Sequence, residues 1–183
     1  MRQLPKLLFL LMTIFHGCGH ELAHKDEGSR VQSKRDSIEN MRIEAHRQFL
    51  TMERQEIEQF QRRMNWNMKR SGTGLHMQVF PVGTGNEKPT TGDLVSIRWR
   101  PMLLDGTQLN DSPGGDTLKW RVEQEEAIAI GMHEVVKKMR TGDSARLVLP
   151  SHLAYGVAGL QGKVPMRSAL AGRIQLISVE KGN

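Results

Sequence analysis

IAIGMHEVVKKMRTGDSARLVLPSHLAYGVAG, residues Ile128 to Gly159, changes its hydrophobic period halfway along, and that change decides the fold. Met132, Val135, Val136 and Met139 recur at i, i+3, i+4 and i+7, which predicts a short helix with one apolar face, closed by Gly142. Ala145, Leu147 and Leu149 then alternate with polar neighbours, the period of a half-buried strand. The strand runs out at Pro150, and the chain's only tyrosine, Tyr155, follows in a loop flanked by Gly156.

The same alternation recurs on both sides. Val95, Ile97 and Trp99 alternate in LVSIRWR, and Leu118, Trp120 and Val122 in TLKWRV. Ile174, Leu176, Ile177 and Val179 mark a closing strand in RIQLISVE. Asp105-Gly106 is a tight-turn signal placed between the first two strands. Several antiparallel strands with one short helix and no βαβ alternation predict an α+β domain, an antiparallel sheet curled around that helix.

Upstream the pattern differs. Ser37 to Asn67 holds no Pro or Gly and is rich in helix formers, so it predicts one long helix or two broken near Leu50. Ile38, Met41, Ala45, Phe49 and Met52 form an apolar stripe, continued after a slip by Ile57, Phe60 and Met64. Such a stripe packs on the domain, on a second copy as a homodimer arm, or on a client. SGTG, Ser71 to Gly74, reads as the stop and the domain boundary.

The first residues resemble an export signal. Arg2 and Lys6 precede LLFLLMTIF, an apolar run too short to span a bilayer as a helix. Gly17-Cys18 resembles the bacterial lipoprotein box, although Phe15 and His16 depart from it, so Cys18 is the expected lipidation site and the anchor to a membrane of the cell envelope. A single cysteine excludes an internal disulfide. HELAH, His20 to His24, matches a zinc-protease pattern, but it lies beside the presumed mature N-terminus with no third ligand at metal spacing, so no metal site is expected. The expected division is a signal peptide at 1–17, a flexible tether at 18–36, a helical appendage at 37–71 and the α+β domain at 72–183. The formal charge of +6 raises nucleic-acid binding, but along 34–70 basic residues are interspersed with acidic ones as on a solvated helix face, which argues against it.

With these stretches in hand, LLDGTQLNDS, the quoted segment and GKVPMRSALAGRIQLISVE resemble, in order and spacing, an FKBP-type peptidyl-prolyl isomerase domain from about Gly72 to the end. The lipobox-like cysteine, the long helix and NWNMKRSGTGL are further similar to exported FKBP-like lipoproteins associated with bacterial gliding motility. The resemblance implies a prolyl isomerase without cofactor, acting on proline-containing polypeptide clients. It implies Tyr155 as the hydroxyl that meets the bound carbonyl. Matched positions give Trp99, Leu109, Asn110, Leu118, Ile128, Ala129, Met132, Leu160 and Val164 as the substrate pocket. Leu109, Leu118 and Met132 stand where the family has aromatics, and Gly172 where it has a final-strand phenylalanine. Asn110 replaces a carboxylate. These departures leave two expectations: an isomerase of weakened activity, and a non-catalytic module of the same fold that holds polypeptides.

Overall fold

The computed structural model describes residues 21–83, 85, 87–109 and 117–182, with side chains of the first helix from residue 27 onward. The signal-peptide expectation for 1–17, the lipidation site Cys18 and the pocket residue Asn110 lie outside the described residues. The elements are α1 (Glu21–Met64), β1 (Lys69–Arg70), β2 (His76–Phe80), β3 (Leu94–Leu103), β4 (Thr117–Arg121), α2 (Ile130–Lys137), β5 (Ser144–Leu149) and β6 (Leu170–Glu180), with a 3-10 turn at Ser151–Leu153.

The six strands form one sheet in the order β1-β2-β5-β6-β3-β4, every neighbouring pair antiparallel. This is the α+β fold class read from the sequence. The alternation read in β3, β5 and β6 sends Val95, Ile97, Trp99, Ala145, Leu147, Leu149, Ile174 and Leu176 into one core with Met132, Val135, Val136 and Met139. α2 approaches β5 closely because Gly131 stands in its first turn: a Cβ there would meet Leu149 Cδ2 at 2.6 Å and the Leu153 carbonyl oxygen at 2.9 Å. The helix itself ends at Lys137, and Gly142 belongs to the turn that follows, with φ 92°. The Asp105-Gly106 turn is formed, Thr107 N–H donating to Asp105 Oδ1 at 2.8 Å, but it folds the chain back beside the end of β3 instead of leading straight into β4.

The long helix differs from expectation at both ends. It begins at Glu21, so the stretch expected as a tether is helical from that residue on; Gly28 alone, at about 1 kcal/mol against alanine, does not break it. It stops at Met64, before Ser71. Asn65 adopts φ 51°, its N–H donates to the Arg62 carbonyl at 3.2 Å, and Trp66 N–H donates to the Gln61 carbonyl at 2.9 Å. That is a Schellman stop, with asparagine in the left-handed position usually taken by glycine. The hydrophobic contact that accompanies such stops is Trp66 against Phe60, edge to face at 5.3 Å.

The chain divides into two compact units between Arg47 and Gln48, not at residue 72. In the first, residues 27–47 are exposed, with ion pairs such as Arg47–Glu44 at 3.2 Å whose contribution is a few tenths of a kcal/mol. In the second, the end of α1 is built into the domain. Glu53, Ile57 and Phe60 lie at i, i+4 and i+7 and are all buried, and Ile57, Phe60 and Trp66 make a second core with Val148, Ala169 and Ala171 on the outer face of the sheet. Of the stripe read from the sequence, Ile57 and Phe60 are covered; Ile38, Met41, Met52 and Met64 are exposed.

Candidate functional site

The loop that carries Tyr155 is braced at three points. At its start, Ser151 is buried and its N–H donates to Glu53 Oε1 of α1 at 2.7 Å. Gly156 N–H, next after the tyrosine, returns to the Ser151 carbonyl at 2.8 Å, and Gly156 takes φ 61°, which glycine adopts without strain. Beyond it, Leu160 and Val164 exchange both backbone hydrogen bonds at 2.8 Å, and Arg167 N–H closes onto the Gly156 carbonyl at 3.0 Å. The Arg167 guanidinium lies 5.3 Å from the centre of the Phe49 ring. The segment from 151 to 167 is therefore held by its own backbone bonds and by the end of α1, so Tyr155 starts from a fixed position.

The described site residues fall in and on one hydrophobic core. Trp99, Ala129, Met132 and Val164 are buried within it, and Leu109, Leu118, Ile128, Tyr155 and Leu160 are half-buried against it. The second group exposes part of its surface.

Gly172 and Trp99 are coupled. A Cβ at Gly172 would meet the Arg100 carbonyl oxygen at 2.3 Å and the Trp99 ring atoms Cη2 and Cζ3 at 2.8 and 2.9 Å. The space next to Gly172 is thus taken by the β3 backbone and the Trp99 indole. Trp99 was already among the expected pocket residues; Leu109, Leu118 and Met132 are aliphatic side chains packed in or on the same core.

The turn that leads into α2 is fixed by His133, which is buried. Its Nδ1 accepts from Trp120 Nε1–H at 3.2 Å and from Glu123 N–H at 2.8 Å, while Nε2 faces the Glu125 carbonyl at 3.3 Å. Two donors on Nδ1 place the proton on Nε2, which donates to that carbonyl. β4 and the 123–125 turn are thereby tied to α2, which bears Met132. Asp93 holds the other end of the sheet: its carboxyl accepts from Thr90 N–H at 2.8 Å, Gly182 N–H at 3.0 Å and Lys181 Nζ at 3.2 Å. Those backbone donors, Thr90 first and Gly182 next, hold it well below the ordinary aspartate range, with Lys181 adding to them against the effect of burial. Among the described residues no group of three or more His, Cys, Asp or Glu side chains is placed to hold a metal ion.

Sequence reasoning missed Glu53, Trp66 and His133. Glu53 was legible only as one of many acidic residues on a charged helix, and its partner is a backbone N–H 98 positions away. Trp66 carried a signal in its neighbour, since asparagine favours the left-handed conformation that stops a helix.

Comparison with known proteins follows the same outline. A family profile for FKBP-type peptidyl-prolyl cis-trans isomerases matches residues 85–177. FkpA, an FKBP-type peptidyl-prolyl cis-trans isomerase of Escherichia coli K12, is 34% identical over 114 residues, 62% of this chain and 40% of that protein. The outer membrane protein MIP of Legionella longbeachae is 30% identical over 110 residues, 60% of this chain and 46% of the relative. The chain thus spans about two fifths of the length of the FkpA relatives it matches. Among solved structures, that of E. coli FkpA superposes with a TM-score of 0.63 at 27% identity, covering 92% of this chain and 76% of the other. A peptidyl-prolyl cis-trans isomerase from Pseudomonas syringae pv. tomato gives 0.60 at 27% identity, covering 73% and 94%.

Proposed function

Since the chain belongs to the FKBP-type peptidyl-prolyl cis-trans isomerase family, we propose that it accelerates cis-trans exchange at X-Pro bonds of polypeptide clients in the bacterial cell envelope. The observation that carries this reading is the braced Tyr155 loop beside half-buried apolar side chains. The reaction needs no covalent step. Rotation about an amide is opposed by about 18–20 kcal/mol of resonance, and at X-Pro the two planar forms differ by only about 0.5–1 kcal/mol. A catalyst must therefore bind the twisted amide better than either planar form. Met132, Trp99 and Val164 form the floor that takes the prolyl ring, and Leu109, Leu118, Ile128 and Leu160 the apolar walls that exclude water. The resemblance adds Asn110, which lies outside the described residues, to the pocket. The Tyr155 hydroxyl donates to the carbonyl oxygen of the residue before proline or its neighbour, in a place where a positioned donor acts more strongly than in water. No cofactor takes part.

The finer assignments are supported by sequence. Export to the envelope and anchoring through Cys18 rest on the charged start, the short apolar run and Gly17-Cys18. Among the described residues no helix is long and apolar enough to cross a membrane. Self-association through α1 rests on the exposed Ile38, Met41 and Met52, and the likeness to gliding-motility lipoproteins rests on the same leader and helix.

A second reading, a polypeptide-holding module without catalysis, is favoured by the aliphatic residues Leu109, Leu118 and Met132. A protease-coupled assay on a set of X-Pro peptides separates the two. Catalysed exchange with a preference among X residues supports the isomerase. An uncatalysed rate, together with suppression of aggregation of an unfolded protein by the same preparation, supports the module. Release of the protein from the membrane fraction by Cys18→Ala tests the anchor, and recovery of wild type in the cytosol with Met1 retained refutes it.

A further inference from the structure

The outer face of the sheet carries a charged groove that neither hydrophobic core nor the prolyl site uses. In cross-strand register Arg146 of β5 stands opposite Arg173 of β6, and Arg173 stands opposite Arg100 of β3. Neighbouring strands lie about 4.8 Å apart, so three arginines stand abreast, and Arg98, two residues along β3, shares their face. Directly opposed like charges destabilise a sheet, yet here they recur on three strands. The end of α1 covers the adjoining row of this face, Val148 and Ala171, and leaves the arginine row open as a groove of about 450 Å³.

The composition of the groove is selective. All four of its charged side chains are arginine, the neutral polar residues Ser144 and Gln175 lie among them, and none of the residues lining it is acidic. Arg98 Nη1 donates to Gln175 Oε1 at 3.4 Å, which orients the guanidinium without cancelling its charge. Arg146 is stacked between two rings, 5.2 Å from the centre of Phe80 and 5.5 Å from that of Trp66, which holds it in place and again leaves it cationic. A guanidinium fork meets oxyanions two oxygens at a time. One fork saturates a carboxylate, whereas a phosphate offers further oxygens and up to two charges, so adjacent forks on neighbouring strands can share it. We propose that this groove binds a phosphate-bearing ligand with at least two negative charges, either a free phosphate compound or the headgroup of an anionic lipid.

The probe is inorganic pyrophosphate, titrated calorimetrically into the full chain at low and at raised sodium chloride. Wild type is expected to bind saturably, more weakly as salt rises. The double variant Arg98→Gln/Arg173→Gln, which leaves the stacked Arg146 in place, should lose tenfold or more in affinity with an unchanged circular dichroism spectrum and unchanged prolyl isomerisation. Arg173→Lys, which keeps the charge and loses the fork, should also weaken binding. If the double variant does not fold, Arg98→Gln alone serves, since its hydrogen bond is to the neutral Gln175. Co-sedimentation with phosphatidylcholine vesicles, with and without phosphatidylglycerol, separates the sources. A gain with phosphatidylglycerol that the variant loses assigns a lipid headgroup; an equal response of both proteins, with pyrophosphate binding intact in wild type, assigns a free phosphate. No pyrophosphate binding by wild type, equal affinity in wild type and variant, or tighter binding of a hexaglutamate peptide than of pyrophosphate overturns the proposal.

Discussion

Replacing Phe60 by alanine tests whether the end of α1 is structure or appendage. The ring is 2% exposed and meets Trp66 edge to face at 5.3 Å, with the Arg63 guanidinium 5.9 Å from its centre on the outside. Deleting a buried phenylalanine costs about 3–5 kcal/mol, of which about 0.5–1.5 belongs to the aromatic pair. The loss also loosens Trp66, whose contact completes the helix stop. For a domain of this size about 1 kcal/mol shifts the melting temperature by roughly 3–5 °C, so Phe60→Ala should lower it by about 9–25 °C in a calorimetric scan. Truncation gives the independent comparison: a chain starting at Gln48 should melt close to wild type, and one starting at Gly72, which strips Ile57, Phe60 and Trp66 from Val148 and Ala171, should melt far lower or not fold. A shift below about 3 °C for Phe60→Ala, or equal melting of the two truncations, would refute the placement of this helix end in the core.

Glu53→Ala leaves the buried Ser151 N–H without its acceptor, an expected loss of about 1–3 kcal/mol in urea unfolding; Glu53→Gln keeps an acceptor oxygen and should recover most of it. Because Ser151 begins the segment that ends in Tyr155, Glu53→Ala should also lower kcat for prolyl isomerisation more than it raises KM, and equal values for both variants would sever the helix from the site. The Asp93 carboxyl has a folded-state pKa below its ordinary 3.8, so the stability it contributes is complete above that value and drains away as pH falls through and below it. Asp93→Asn should therefore be less stable than wild type at pH 7 and approach it under acid, a convergence that melting curves between pH 2 and 7 would reveal or exclude. Gly172→Ala sets a methyl group against the Arg100 carbonyl oxygen and the Trp99 ring and should destabilise by about 1–3 kcal/mol, with tryptophan fluorescence shifting as the indole moves; an unchanged spectrum and melting temperature would show that the two strands do not share that space.

The sheet was legible because apolar residues recur at every second position in the middle of β3, β5 and β6, at Val95, Ile97 and Trp99, at Ala145, Leu147 and Leu149, and at Ile174 and Leu176. α2 was legible for the same reason at the other period. The helix end was not, since Glu53, Ile57 and Phe60 make a short stripe within a long polar helix, and nothing local says that Val148 and Ala171 on the outer face of the sheet await it. The candidate site was read as a set of positions matched to a family, with Tyr155 singled out by being alone. What the sequence left obscure were relations between distant strands: Gly172 read as a lost aromatic until Trp99 was seen in its space, and Arg100, Arg146 and Arg173 are far apart in the chain, adjacent only through strand pairing.

The most direct test of the account is the rate at which the chain exchanges an X-Pro peptide between cis and trans, measured by magnetisation exchange in NMR for wild type and Tyr155→Phe. The substitution removes one hydroxyl and keeps the ring, so a lost hydrogen bond to the substrate of about 0.5–1.5 kcal/mol should lower kcat/KM by about two- to twelvefold. The account predicts exchange well above the uncatalysed rate in wild type and that partial loss in the variant. Wild type no faster than peptide alone while still binding the peptide, or a variant equal to an active wild type, would contradict it.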